Sequence, residues 1–153
     1  MKVLFLHGTG DKPGGIRSQF LRQSGFEVID PALPDYDFEQ SVQVGQEAFD
    51  RDRPDVVVGS SRGGGVALRM DTADVPVVLV APAWKGRGAD KKPGGPVTIL
   101  HSENDDIVPI EGSRELLRIW GEPEDRLKVV GLDHRMRDDE AFAALVEAIN
   151  LCE

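Results

Sequence analysis

The sequence predicts an α/β fold, a parallel sheet with helices on both faces, and three observations carry that reading. Six short apolar runs recur along the chain, at residues 2–6, 26–29, 56–58, 77–80, 97–100 and 127–130. Each is continuous rather than alternating, as in strands covered on both sides. Segments with helical spacing lie between them, and repeated strand–helix–strand alternation implies parallel pairing.

The elements follow in order. The run KVLFL opens the chain, and Ile16, Phe20 and Leu21 then share one helical face before the second run. The third run, VVV at 56–58, breaks into GSSRGGG before helical spacing resumes through Val66, Leu68 and Met70. The fourth run leads into KGRGADKKPGG at 85–95, a basic, glycine-rich stretch between two predicted strands. It reads as a mobile surface loop rather than a domain boundary. After the fifth run, Leu116, Leu117 and Trp120 mark a helix. After the sixth, residues 138–151 form a last helix bearing Phe142, Leu145, Val146 and Ile149, with acidic residues at its start that suit the helix dipole. No internal repeat or low-complexity tract interrupts the pattern. At 153 residues the chain fits one domain, residues 1–153.

Composition limits the partners. The chain is 40% hydrophobic and 29% charged, which suits a globular protein rather than a disordered one. A net charge of −9 disfavours nucleic acid and anionic membrane, because neutralising phosphates needs clustered Lys and Arg. The lone cysteine, Cys152, has no internal disulfide partner and no ligand neighbours for a metal. The four apolar residues after Lys2 are too few for a secretory signal, and no run approaches the ~20 residues of a membrane span. A reducing cytoplasm is the expected location.

Glycine costs roughly 0.5–1 kcal/mol relative to alanine in regular structure, so its clustering in VVVGSSRGGGVAL requires a reason. Centred on Ser61, the stretch reads Gly59-Ser60-Ser61-Arg62-Gly63, a G-x-S-x-G with a strand before it and a helix after it. Such a turn needs small residues two before and two after the serine, because the backbones approach closely there. Ser60 fails that test, since Val58 lies two residues before it. The free N–H groups at the helix start also favour negative charge developing at the serine. The competing explanation, a phosphate-binding turn, lacks both G-x-G-x-x-G and G-x-x-x-x-G-K-[ST].

An activated serine needs a base and a carboxylate to orient it. Of His7, His101 and His134, only His134 lies in a loop directly after a predicted strand and before the final helix. Loops that follow strand C-termini gather on one edge of a parallel sheet, where Ser61 also lies. The acid should come from SENDDIVP, which offers Glu103, Asp105 and Asp106, and composition does not choose among them. Asp133 ranks lower, because adjacent side chains rarely align for the required bond. His7 and His101 read as structural hydrogen-bonders.

Four pieces, VLFLHGTG, GSSRGG, HSENDDIVP and GLDHR, together resemble the α/β-hydrolase superfamily, specifically its small, lidless, esterase-like bacterial members. They run from residue 3 to residue 135, and the order Ser, Asp, His is that of the superfamily. The third piece is similar to the H-G-x-x-D-x-x-V-P motif, and aligning Val108 and Pro109 with its end places the acid at Asp105. Ser102 stands where the motif usually has glycine. The resemblance also implies an oxyanion hole built from the backbone N–H groups of Thr9 and Arg62. Each such donor supplies about 2.7–4 kcal/mol of transition-state stabilisation. It further implies a minimal sheet of six parallel strands in the order 2-1-3-4-5-6, without the usual N-terminal antiparallel hairpin. Residues 84–96 are too few for a helical lid, so an open cleft is expected, with Trp84 either walling it or packing at a strand end.

The expected activity is hydrolysis of a small carboxylic ester through an acyl-enzyme, with no cofactor or metal. Ser61 is the nucleophile, His134 the base and Asp105 the orienting acid. Activity is expected to rise as the imidazole loses its proton. A thioesterase or amidase would use the same groups. Two other classes compete: a binding protein on a hydrolase scaffold, and an anion-binding module that uses the glycine turn and Arg62. The acidic composition loosely suggests small, neutral or cationic substrates.

Overall fold

Apolar strands flanked by amphipathic helices can bury both sheet faces at once, and the chain does so. The computed structural model describes residues 1–153. In chain order the elements are β1 (Lys2–Leu6), α1 (Ile16–Gln23), β2 (Glu27–Ile29), α2 (Phe38–Asp52), β3 (Val56–Ser60), α3 (Arg62–Arg69), β4 (Val77–Val80), β5 (Val97–His101), α4 (Glu111–Trp120), β6 (Leu127–Val129) and α5 (Asp139–Asn150). All six strands pair in parallel, in the order β2-β1-β3-β4-β5-β6.

Strand alternation divides the core in two. Leu4, Leu6, Val57, Leu79 and Ile99 face α2, α3 and α4, where Ala48, Val66, Leu68, Leu116 and Trp120 complete one cluster. Val3, Phe5, Val56, Val58, Val78 and Val80 face α1 and α5, where Leu21, Leu145 and Ile149 complete the other. The central strands therefore tolerate no polar face, which explains their unbroken apolar runs.

The elements differ from the sequence reading in four places. Strand β3 runs on through Gly59 and Ser60, whose ladder partners are Leu79 and Val80, and α3 starts at Arg62 rather than Gly64. The longest helix, α2, was not anticipated. Its polar sequence carries Gly45 mid-helix, where the backbone packs so tightly that an added Cβ would lie 2.8 Å from Met70 Sδ. On α1 the buried residues are Arg17, Ser18 and Leu21, while Ile16 is exposed. The segment 85–95 carries no regular element, yet it is not a free loop. Trp120 Nε1 donates to Asp90 O at 2.8 Å, Arg69 donates to Arg87 O at 2.9 Å, and Lys92 pairs with Glu122 at 2.6 Å. No helix is long and apolar enough to cross a membrane.

Candidate active site

Parallel pairing brings the C-terminal ends of β3, β5 and β6 to one edge, and each delivers one side chain. Ser61 follows β3 directly, as the N-cap of α3. Its backbone has φ 54° and ψ −116°, a region that non-glycine residues rarely occupy. Surrounding hydrogen bonds hold it there. Its N–H donates to Val80 O at 2.8 Å, and its carbonyl accepts from Gly64 and Ala83, both at 2.9 Å. Close approach accounts for the flanking glycines. A Cβ at Gly63 would lie 2.0 Å from Leu6 O, and one at Gly59 would lie 2.6 Å from Gly63 O. Side chains longer than hydrogen would push the turn off the sheet.

Asp105 leaves β5 on a tight loop and is buried, whereas Glu103 and Asp106 are exposed. One carboxylate oxygen accepts from the Ile107 and Val108 amides at 2.9 and 2.8 Å. The other accepts from His134 Nδ1 at 2.6 Å and from His101 Nε2 at 3.1 Å. Burial alone would raise the carboxyl pKa, but the His134 hydrogen bond and the Val108 and Ile107 amides outweigh it and hold Asp105 below the usual carboxylate value.

His134 lies in the loop after β6, with Nε2 3.0 Å from Ser61 Oγ. An ionised carboxylate only accepts, so Nδ1 carries the proton and Nε2 is free to accept from the serine hydroxyl. The structure thus brings Ser61, His134 and Asp105 into one hydrogen-bonded line. Asp133 takes no part in it; its carboxylate accepts from the Arg135 amide at 3.0 Å. Ser102, the departure from glycine, ties two of the loops together by donating to Gly131 O at 3.0 Å.

The other two histidines are held in place. His7 Nε2 accepts from Leu33 N–H at 3.0 Å, so Nδ1 is the donor to Gly8 O at 2.8 Å. His101 is fully buried. Its Nε2 faces two acceptors, Asp105 and Val108 O at 2.8 Å, and Nδ1 accepts from the Ser113 hydroxyl at 2.7 Å. Burial pushes the His101 pKa down, against the raising influence of the Val108 carbonyl and Asp105, so it stays neutral. Its contact with Asp105 was not legible beforehand.

The Thr9 amide donates to no protein acceptor, and the Arg62 amide donates to no turn, loop or side-chain acceptor. Gly8, beside Thr9, packs against the serine turn, with an added Cβ lying 3.4 Å from Ser61 Cβ. The Arg62 side chain points elsewhere. It donates to Ser41 Oγ at 3.1 Å and Pro34 O at 2.9 Å and lies over the Phe38 ring, so it is unavailable to an anion at the turn.

Two hollows flank the line, and Ile107 borders both. One, of about 250 Å³, is lined by Pro82, Trp84, Ile107, Val108 and Pro109. Trp84 is both wall and anchor, because its ring is buried while Nε1 donates to Gly112 O at 3.0 Å. The second, of about 440 Å³, contains Ser61 and His134 and is bordered by Arg17, Arg135 and Arg137. No group of His, Cys, Asp and Glu side chains is arranged to hold a metal.

Solved structures share this architecture. A protein assigned as a hydrolase from Agrobacterium vitis S4 aligns with a TM-score of 0.76 at 17% identity, over 99% of this chain and 87% of its own. A protein of the α/β hydrolase superfamily from Xanthomonas campestris pv. campestris aligns with a TM-score of 0.73 at 18% identity, over 99% and 96%. The chain has the α/β-hydrolase fold. Est1E from Butyrivibrio proteoclasticus shares the fold as well, with a TM-score of 0.71 at 15% identity over 98% and 85%. No family model and no curated protein matches the sequence. On this α/β-hydrolase scaffold, the strand order 2-1-3-4-5-6 is the one expected from the four sequence pieces.

Proposed function

We propose that the protein is a serine hydrolase that cleaves small carboxylic esters through an acyl-enzyme. The observation that carries the reading is the line Ser61 Oγ–His134–Asp105, with links of 3.0 and 2.6 Å, at the mouth of an open cleft. His134 Nε2 takes the hydroxyl proton as Ser61 Oγ attacks the carbonyl carbon. Asp105 holds the imidazole in the tautomer that can accept that proton and stabilises the imidazolium. The Thr9 and Arg62 amides are the donors offered to the oxyanion. His134 then returns the proton to the departing alcohol, and a water activated by the same nitrogen attacks the acyl-enzyme to release the acid and free Ser61. The chemistry is supplied by side chains and backbone amides, so thioesters and amides remain within its reach.

The test is a series of p-nitrophenyl esters from acetate to octanoate, with Ser61→Ala as control. The reading expects hydrolysis of at least one ester at a rate on the order of 10⁴ above the variant. Equal rates for wild type and Ser61→Ala across the series would remove the enzyme reading and favour a binding protein on the same scaffold.

A further inference from the structure

Arg17 is a buried cation without a counter-ion. It is 5% exposed, and its guanidinium is used only in part. Nη1 donates to Ser60 Oγ at 2.9 Å, and Nη2 donates to the carbonyls of Arg135 and Met136. Nε is buried with no partner at all. Burial, followed by the nearby charge of Arg137, lowers its pKa to about 10 against the pull of Asp11, so it remains protonated at neutral pH. Buried charges are ordinarily paired, because a desolvated and uncompensated ion is destabilising.

Two more arginines stand at the same cleft. Arg135 and Arg137 line it beside Ser61 and His134 and, like Arg17, form no ion pair. The ion pairs of the molecule engage other arginines, such as Arg51, Arg69, Arg114 and Arg126, and several lysines. Asp11 is the one carboxylate that borders the cleft. Three cations against one anion, in a chain whose net charge is −9, reverse the local sign. A cleft lined by one sign of charge focuses field and gathers ligands of the opposite sign.

We propose that the substrate of this site carries an oxyanionic group, a carboxylate or a phosphate, that is bound by Arg17, Arg135 and Arg137 while its ester carbonyl lies at Ser61. Guanidinium groups suit such ligands because their planar donors match two oxygens at once. The apolar hollow beyond Ile107 accepts the remainder of the molecule. The proposal rests on the hydrolase reading for its ester, but the anion site stands on its own geometry. It reverses the neutral or cationic preference suggested by overall composition, because the cleft and not the whole surface meets the substrate.

The experiment compares p-nitrophenyl hexanoate with mono-p-nitrophenyl adipate, which has the same chain length and a terminal carboxylate. Charge-assisted hydrogen bonds make the adipate ester preferred by about tenfold to a hundredfold in kcat/KM. That preference collapses in the Arg135→Gln/Arg137→Gln double variant and at high salt. Hexanoate preferred, or an adipate preference untouched by the double variant, overturns the proposal while leaving the hydrolase reading intact. If neither ester is cleaved, calorimetry of monomethyl adipate with Ser61→Ala decides it. Binding that is lost when Arg135→Gln and Arg137→Gln are added to Ser61→Ala supports the anion site, and no binding, or binding that survives those substitutions, overturns it. Competition by inorganic phosphate in the same titration names the head group: displacement indicates phosphate, and its absence indicates carboxylate.

Discussion

Ser61 sits at φ 54° and ψ −116°, and that conformation has a measurable consequence independent of any substrate. A side chain held in such a region costs about 1–3 kcal/mol, which glycine does not incur. Glycine in turn loses roughly 0.5–1 kcal/mol through its freer unfolded chain. Ser61→Gly and Ser61→Ala both delete the hydroxyl and its 3.0 Å bond to His134, so they differ only in the Cβ. Subtracting the two effects leaves Ser61→Gly more stable than Ser61→Ala by about 1 kcal/mol. For a domain of this size that is a gap of about 2–4 °C in Tm. Thermal melts and urea titrations of the two variants read it directly. If Ser61→Ala melts at the same temperature or higher, the turn is not strained and Ser61 is not held there against its backbone preference.

Other predictions follow from the same geometry. Gly63→Ala places a Cβ 2.0 Å from Leu6 O and should destabilise the fold by about 1–3 kcal/mol, seen as a lower urea midpoint. Gly112→Ala, on α4 with its nearest neighbours at 3.5 and 3.8 Å, should instead stabilise by roughly 0.5–1 kcal/mol. Asp105→Asn should lower kcat by a factor on the order of 10⁴, whereas Glu103→Gln and Asp106→Asn, both exposed, should stay within about twofold of wild type. Folded His101 has a lowered pKa, so the unfolded chain binds its proton first as pH falls. Stability from this residue is therefore complete above about pH 6.5 and declines below it. Denaturation of His101→Gln between pH 7 and 5 should show a shallower pH slope than wild type, by at most about 1.4 kcal/mol per pH unit.

The strands were legible because both sheet faces are buried, which forces runs such as VLFL and VVLV that few other elements would carry. Their ends were less so. Gly59 and Ser60 read as turn, yet the ladder continues through them, pairing with Leu79 and Val80, and the chain turns only at Ser61. Helix α2 escaped because its interior glycine and polar sequence obscure the periodicity. The Asp37 N-cap, which accepts from Gln40 N–H at 3.0 Å, was the available signal. That Ser61 and His134 lie on one edge of the sheet was readable from their position relative to strands, and singling out Asp105 among three acids as their neighbour needed the motif. Burial separates them in the structure, since the fold spends its inward position on one carboxylate. Arg17 was not readable at all. A lone arginine within IRSQFL looks like a solvated surface residue, and only the tertiary contact with Ser60 and the loop after His134 reveals it.

The central claim is that the hydroxyl at position 61 is activated and open to solvent. Incubation with a fluorophosphonate probe, followed by peptide mapping, measures this directly. The account predicts a single adduct on Ser61, formed by wild type and lost in both Ser61→Ala and His134→Ala. Folded wild-type protein that takes up no label, or that carries it on Ser60, would contradict it.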